Sequence, residues 1–125
     1  MDNQHHKKSV LYVDDERALV MLSVRGLKHY GYAVTGFSDP MQALECFKAE
    51  PEAYDAVITD LSMPQLSGLS LVNKLRALRA VPVIALSGMI TEDEIARCEA
   101  CGVAQVLAKP FRLDHLARAL DRLLC

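Results

Sequence analysis

Short apolar runs alternate along the chain with stretches whose apolar residues recur every three or four positions, and the alternation occurs five times. Ser9-Val-Leu-Tyr-Val13 is followed by Leu19, Leu22, Gly26, Leu27 and Tyr30. That spacing predicts a buried strand and then an amphipathic helix with the acids Asp14, Asp15 and Glu16 in its first turn. Gly31 stops the helix and Tyr32 to Phe37 reads as the second strand. Asp39 is placed to cap the second helix, Pro40 fits its first position, Ala43, Leu44 and Phe47 form its apolar face, and Pro51 closes it. Ala56 to Thr59 is a third strand running into Asp60, and Pro64 prevents its extension. Leu69, Leu71, Val72, Leu75 and Leu78 mark the third helix, and Pro82 to Leu86 the fourth strand. Thr91-Glu-Asp-Glu94 has capping-box spacing and opens a fourth helix through Ile95 and Cys98 that ends at Gly102. Gln105 to Ala108 is the fifth strand, and Leu113, Leu116, Ala117, Leu120 and Leu123 or Leu124 stripe the last helix.

Strand-then-helix units joined by short connections require a parallel sheet with helices on both faces. The unbroken apolar run from Val81 to Leu86 agrees, because a strand covered on both sides has no polar face to show. The expected architecture is a (βα)5 doubly wound, five-stranded parallel sheet in three α/β/α layers. With 125 residues there is room for one such domain, assigned to 9–125, preceded by a polar, flexible segment at 1–8.

Composition narrows the function classes. The chain is 51% hydrophobic and 24% charged with a net charge of −2, so it carries no basic footprint for nucleic acid or an anionic membrane. No apolar run reaches the length of a membrane span, and the first residues lack the apolar centre of a secretion signal. The expected location is the cytoplasm. There Cys46, Cys98, Cys101 and Cys125 read as reduced thiols. Cys98 and Cys101 have redox-motif spacing but fall within a helical pattern, and no second pair completes a zinc site.

The chemistry gathers at one edge. Asp14 and Asp15 follow the first strand, Asp60 the third, Ser87 the fourth and Lys109 the fifth. Parallel strands point the same way, so these side chains converge. Each alone has an ordinary explanation as a helix-start acid, a turn residue or a surface lysine. Together they form a site. Carboxylates about 4 Å apart repel by roughly 4 kcal/mol per pair at an effective dielectric near 20. One lysine offsets part of that repulsion, and a divalent cation offsets the rest. Oxygen ligands with room for water favour Mg²⁺. A carboxylate held beside Mg²⁺ and an ammonium is a candidate nucleophile towards phosphorus, because phosphoryl transfer asks mainly for positioning and charge neutralisation.

From Ser9 to Leu124 the chain resembles the receiver domains of two-component response regulators. The motifs Val13-Asp-Asp-Glu16, Ile58-Thr-Asp60-Leu-Ser-Met-Pro64, Ala85-Leu-Ser87-Gly88 and Ala108-Lys109-Pro110-Phe111 occur in that family's order. The resemblance implies a flavodoxin-like fold that accepts a phosphoryl group from a histidine kinase or a histidine phosphotransfer domain. It assigns Asp60 as phosphoacceptor, Asp15 as direct Mg²⁺ ligand, Asp14 as a ligand mainly through water, and Asp60 with the Ser62 main-chain carbonyl as the rest of the metal shell. Lys109 is expected to pair with Asp60 and then with the phosphoryl group, towards which the Ser87 hydroxyl turns, and the Lys109–Pro110 bond is expected to be cis.

One position departs from the family pattern. Three residues before the lysine, where the family often carries an aromatic switch, stands Val106. Signalling is therefore expected through Ser87, the loop to Thr91 and the face of the fourth helix, fifth strand and fifth helix, which is also the expected homodimer surface. Ser62 and Met89 occupy the positions that tune phosphoryl lifetime in the family, and Met89 points to slow or intermediate self-dephosphorylation. The expected function is a signalling domain, not an enzyme acting on a separate metabolite, with no direct nucleic-acid partner and no membrane insertion. A haloacid-dehalogenase-type phosphatase also uses an aspartate with Mg²⁺, but such enzymes usually carry a second aspartate where Ser62 stands. A pseudo-receiver would have lost acids or the lysine. The chain ends with its fifth helix, which suits a single-domain regulator or the C-terminal receiver of a hybrid sensor histidine kinase.

Overall fold

In the computed structural model, residues 7–124 are described. Five strands alternate with five helices: β1 Lys8–Val13, α1 Arg17–Lys28, β2 Tyr32–Phe37, α2 Pro40–Ala49, β3 Ala56–Asp60, α3 Gly68–Leu78, β4 Val83–Ser87, α4 Glu92–Ala100, β5 Gln105–Ala108 and α5 Leu113–Leu124. A single 3-10 turn, Pro51–Ala53, leads out of α2. β1 begins at Lys8, one residue before the expected start and inside the segment read as flexible; 1–6 lie outside the described residues, as does Cys125.

The strands form one parallel sheet in the order β2-β1-β3-β4-β5. This is the flavodoxin-like winding, in which the chain reverses direction across the sheet at the β1/β3 boundary and opens a crevice beyond the strands' carboxyl ends. Alternate residues of each strand serve opposite faces. Leu11, Val13, Val57, Val83 and Ala85 pack with Ala43, Leu44, Phe47, Leu71, Val72, Leu75 and Cys98 of α2, α3 and α4. Val10, Tyr12, Ile58, Ile84 and Leu86 pack with Val20, Leu27, Leu116, Ala117 and Leu120 of α1 and α5. Because both faces are covered, all five residues of β3 and of β4 are buried.

Local signals set the helix ends. The Asp39 carboxylate accepts from the Met41 amide with Pro40 next in line, and the Thr91 hydroxyl accepts from the Glu94 amide at 3.1 Å. Gly31 and Gly102 carry φ of 92° and 86°, the left-handed conformation in which a helix stops at no steric cost to glycine.

Two helical faces differ from the sequence reading. The buried residues of α1 are Val20, Ser23 and Leu27, whereas Leu22 and Tyr30 are exposed. Four consecutive apolar residues, Leu19 to Leu22, leave the period ambiguous, and the contacts with β2 and α5 decide the rotation. Leu78 ends α3 46% exposed, while Leu75 is fully buried.

The two leucines therefore separate in their energetics. Leu75→Ala should lower stability by about 2–5 kcal/mol, the cost of an apolar cavity. Leu78→Ala should cost under about 0.5 kcal/mol, as for most surface changes. Urea denaturation of both variants measures the difference; equal losses would place Leu78 in the core.

Candidate functional site

The pairing register decides which side chains meet. Val13 pairs with Thr59, so Asp14 and Asp60, each one residue further on, leave the sheet at the same level. Asp60 pairs with Leu86, Leu86 with Leu107 and Ser87 with Ala108, which places Ser87 one step beyond Asp60 and Lys109 two steps beyond. The Lys109 side chain then reaches back over the edge, and its amide donates to the Ser87 carbonyl at 2.7 Å. The Lys109–Pro110 peptide is cis.

Asp60 occupies the last position of β3 and is 4% exposed. Its main chain is backed by Gly68, where a Cβ would stand 2.2 Å from the Asp60 carbonyl oxygen and 2.6 Å from Leu61 Cα. Only glycine permits the start of α3 to close on β3 there. The Gly68 amide donates to the Leu61 carbonyl at 3.0 Å, and the Ser62 amide donates to Asp60 Oδ1 at 3.4 Å. Asp14 is fully buried, and its Oδ1 accepts from the Glu16 amide at 3.0 Å. Asp15 is exposed.

Oxygens of Asp14, Asp15 and Asp60 lie within 4.8 Å of one another, and among the described residues this is the one cluster of acids, histidines or cysteines compact enough to hold a metal ion. Lys109 Nζ stands 3.1 Å from Asp14 Oδ2, 3.2 Å from Glu16 Oε1 and 3.5 Å from Asp60 Oδ2. The ammonium is thus closer to Asp14 and Glu16 than to Asp60, the partner read from the sequence. Glu16 was not foreseen as a partner. It is the residue capping α1 and makes no side-chain cap bond, which frees its carboxylate to reach the lysine. The three acids precede α1 instead of lying within its first turn.

One ammonium paired with three carboxylates, beside a fourth at Asp15, leaves the edge strongly negative. Burial raises the Asp60 carboxyl above the usual carboxylate range, with the Asp14 charge adding to the rise and Lys109 and the Ser62 amide opposing it. Burial raises Asp14 as well, against the Glu16 amide and Lys109. For Lys109, burial works against the charge, but its hydrogen bonds to Asp14 and Glu16 outweigh it and the pKa is raised. An all-oxygen, partly solvated set with net negative charge fits a small hard divalent cation.

Ser87, 4% exposed, is brought to the same edge, but its hydroxyl is engaged elsewhere. Oγ lies 2.5 Å from Glu94 Oε1, accepts from the Met89 amide at 3.2 Å and stands 3.1 Å from the Met89 carbonyl. Leu61, Ser62, Ser87, Gly88, Met89 and Glu94 line a cleft of about 410 Å³ beside it. On the other side of Lys109, Ala18, Leu19, Leu22, Pro110 and Phe111 line a larger, mostly apolar cleft of about 610 Å³. Neither Glu94 nor this second cleft could be anticipated, because helix-start acids and surface leucines have adequate local explanations. Cys98 is buried and Cys101 half-buried, both as free thiols.

Comparison with known proteins agrees with the geometry. The family description "Response regulator receiver domain" matches residues 10–121. The sensory/regulatory protein RpfC of Xanthomonas campestris pv. campestris is 37% identical over 119 residues, covering 91% of this chain and 16% of that protein. Transcription factor SKN7 of Candida albicans is 32% identical over 117 residues, 93% of this chain and 21% of that protein. The chain therefore spans about a fifth or less of the length of these two relatives. Among solved structures, the chemotaxis protein CheY4 of Vibrio cholerae superposes with a TM-score of 0.88 at 28% identity, covering 95% of this chain and all of that one. No helix among the described residues is long and apolar enough to cross a membrane.

The raised carboxyls set a pH dependence. A carboxyl whose folded pKa exceeds its unfolded value binds more protons in the folded state between the two values, so stability falls as pH rises through that interval. Asp60→Asn removes one of the crowded charges. Without divalent cations at pH 7.5 it should melt higher than the wild type by about 3–6 °C, a gain on the order of 1 kcal/mol. The gap should close below about pH 4, where the carboxyls are protonated in both states. Thermal melts followed by circular dichroism test this; an Asp60→Asn melt at or below the wild type at pH 7.5 would contradict it.

Proposed function

The chain belongs to the response regulator receiver domain family of two-component signalling, and from that premise we propose that it accepts a phosphoryl group on Asp60 from a partner's phosphohistidine. The observation that carries the assignment is the buried Asp60 carboxylate at a strand end, with Lys109 Nζ 3.5 Å away and oxygens of Asp14 and Asp15 within 4.8 Å. The donor is a histidine kinase or a histidine phosphotransfer domain. The apolar cleft beside Lys109 offers such a partner an apolar landing surface close to the nucleophile. We assign the domain as 9–125 and read it as a signalling unit that serves its own phosphorylation and not a separate metabolite.

Asp15, Asp60 and the Ser62 main-chain carbonyl would hold Mg²⁺ directly, with Asp14 holding it mainly through water. When bound, the cation neutralises the carboxylate cluster and the charge that develops on the phosphoryl oxygens. The protein's own share is positional. Gly68 and the Ser62 amide fix the Asp60 carboxylate at the sheet edge. Lys109, tethered by Asp14 and Glu16, presents an ammonium to the phosphoryl oxygens. The Ser87 hydroxyl supplies a further hydrogen bond once it turns towards the site. An oxygen of Asp60 attacks phosphorus, the P–N bond to the partner histidine breaks, and the electron pair leaves with the imidazole nitrogen.

The output surface in this reading is the face of α4, β5 and α5, where Ile95 is exposed, together with the loop into α4, where Met89 and Ile90 are exposed, and the same face would serve a homodimer. A receiver segment within a longer hybrid sensor kinase is a second context supported by the likeness to RpfC. Both contexts use the same site, and both place the protein's work in the cytoplasm, without direct contact to nucleic acid.

Incubation with acetyl phosphate and Mg²⁺, followed by intact mass, should show the gain of one phosphoryl group. The gain should vanish in Asp60→Asn and on chelation of Mg²⁺. Lys109→Ala should slow it by about tenfold or more, the loss of one charge-stabilising contact. An unmodified wild type would overturn the reading. With Met89 at the position that tunes lifetime, the adduct should persist well beyond seconds.

A further inference from the structure

We propose that Glu94 is a positioning residue that holds the Ser87 hydroxyl away from Asp60 in the unphosphorylated domain, and that phosphorylation frees the start of α4 by taking that hydroxyl from it. The inference rests on the reading of Asp60 as phosphoacceptor.

A serine hydroxyl has one proton to give. Two acceptors stand near the Ser87 Oγ, Glu94 Oε1 at 2.5 Å and the Met89 carbonyl at 3.1 Å. The carboxylate is the closer and the stronger acceptor, so the proton goes to Glu94. The Met89 amide fills a lone pair of Oγ from the other side. The one donor Ser87 could offer a phosphoryl oxygen is therefore already committed. A phosphoryl oxygen and the Glu94 carboxylate compete for a single proton, and both cannot be served.

The backbone of α4 explains why Glu94 is available for this contact. The Glu94 amide donates to the Thr91 hydroxyl, which is half of a capping box. In the completed box the Glu94 side chain would bend back to the Thr91 amide; here it reaches across to the end of β4 instead. That contact ties the first turn of α4 to the phosphorylation edge. Glu94 also lines the cleft with Leu61 and Ser62, the two residues after Asp60. A phosphoryl group on Asp60 replaces the single carboxylate charge with roughly one to two negative charges carried further out from the sheet edge, beside that cleft, and repels the carboxylate that loses the hydroxyl. Both effects push the same way. Once released, Glu94 no longer anchors a segment in which Met89 is 75% and Ile90 38% exposed.

The test is equilibrium binding of beryllofluoride with Mg²⁺, a stable phosphoryl mimic, to the wild type, Glu94→Gln, Glu94→Ala, Ser87→Ala and the double variant Glu94→Ala with Ser87→Ala. Glu94→Ala should tighten binding about three- to tenfold, since a partly exposed charge-assisted hydrogen bond no longer has to be broken. Glu94→Gln, nearly isosteric and still an acceptor, should fall between the two. Ser87→Ala should weaken binding, and adding Glu94→Ala to it should gain clearly less than Glu94→Ala gains in the wild type, the remainder being relief of charge repulsion, because the coupling runs through the hydroxyl. Wild-type-like or weaker binding by Glu94→Ala would overturn the latch, as would an equal gain in the Ser87→Ala background, which would mark a charge effect alone. A wild type that neither binds the mimic nor gains mass from acetyl phosphate would instead overturn the phosphoacceptor reading, and the latch with it.

Discussion

The edge of the sheet depends on one ammonium. Lys109 Nζ holds Asp14, Glu16 and Asp60 within 3.5 Å while staying largely buried, and Asp15 completes a cluster that it cannot neutralise alone. Such an arrangement is costly: taking charges out of water is repaid only when each is paired and hydrogen-bonded. Here the pairing is deliberately incomplete in the chemical sense, since both buried carboxyls are driven upward by burial. The imbalance that weakens the fold is the same imbalance that suits the cluster to a cation.

Topology makes the cluster unavoidable. A sheet ordered β2-β1-β3-β4-β5 puts the two acid-bearing strands side by side, and the Val13–Thr59 register sets Asp14 level with Asp60. The lysine arrives from the far strand, two steps beyond, so it must lean back across the ends of β4 and β3. In doing so it passes Asp60 and settles between Asp14 and Glu16. The family resemblance pointed to an Asp60–Lys109 pair; the length of a lysine side chain and the position of Glu16 at the head of α1 shift the balance.

What could be read from the sequence was whatever is encoded locally. Asp39 and Pro40, Thr91 and Glu94, Gly31 and Gly102 each act within a few residues, and each helix begins or ends where they stand. The unbroken apolar strands identified a sheet covered on both faces. The rotation of α1 was not legible, because Leu19 to Leu22 offer apolar side chains in every direction and only the contact with β2 and α5 chooses among them. Nor were Glu16 and Glu94. A carboxylate at a helix start satisfies the local rule wherever it points, and what it reaches depends on strands many residues distant in sequence.

Val106 gives these contacts their significance. It pairs with Ala85, next to the strand that carries Ser87, and packs half-buried against the cluster that includes Cys98 and Val103. A valine has few rotamers and little volume to trade between buried and exposed positions, so it offers no large side chain to report events at Asp60. Under the proposed function, groups that already join the site to its surroundings are the route left to communication. Two such links exist at the end of β4: the Lys109 amide on the Ser87 carbonyl, and the Ser87 hydroxyl on Glu94. The first is main chain and fixed by the sheet. The second is a side-chain contact that a single competing acceptor can break, and it leads directly into α4.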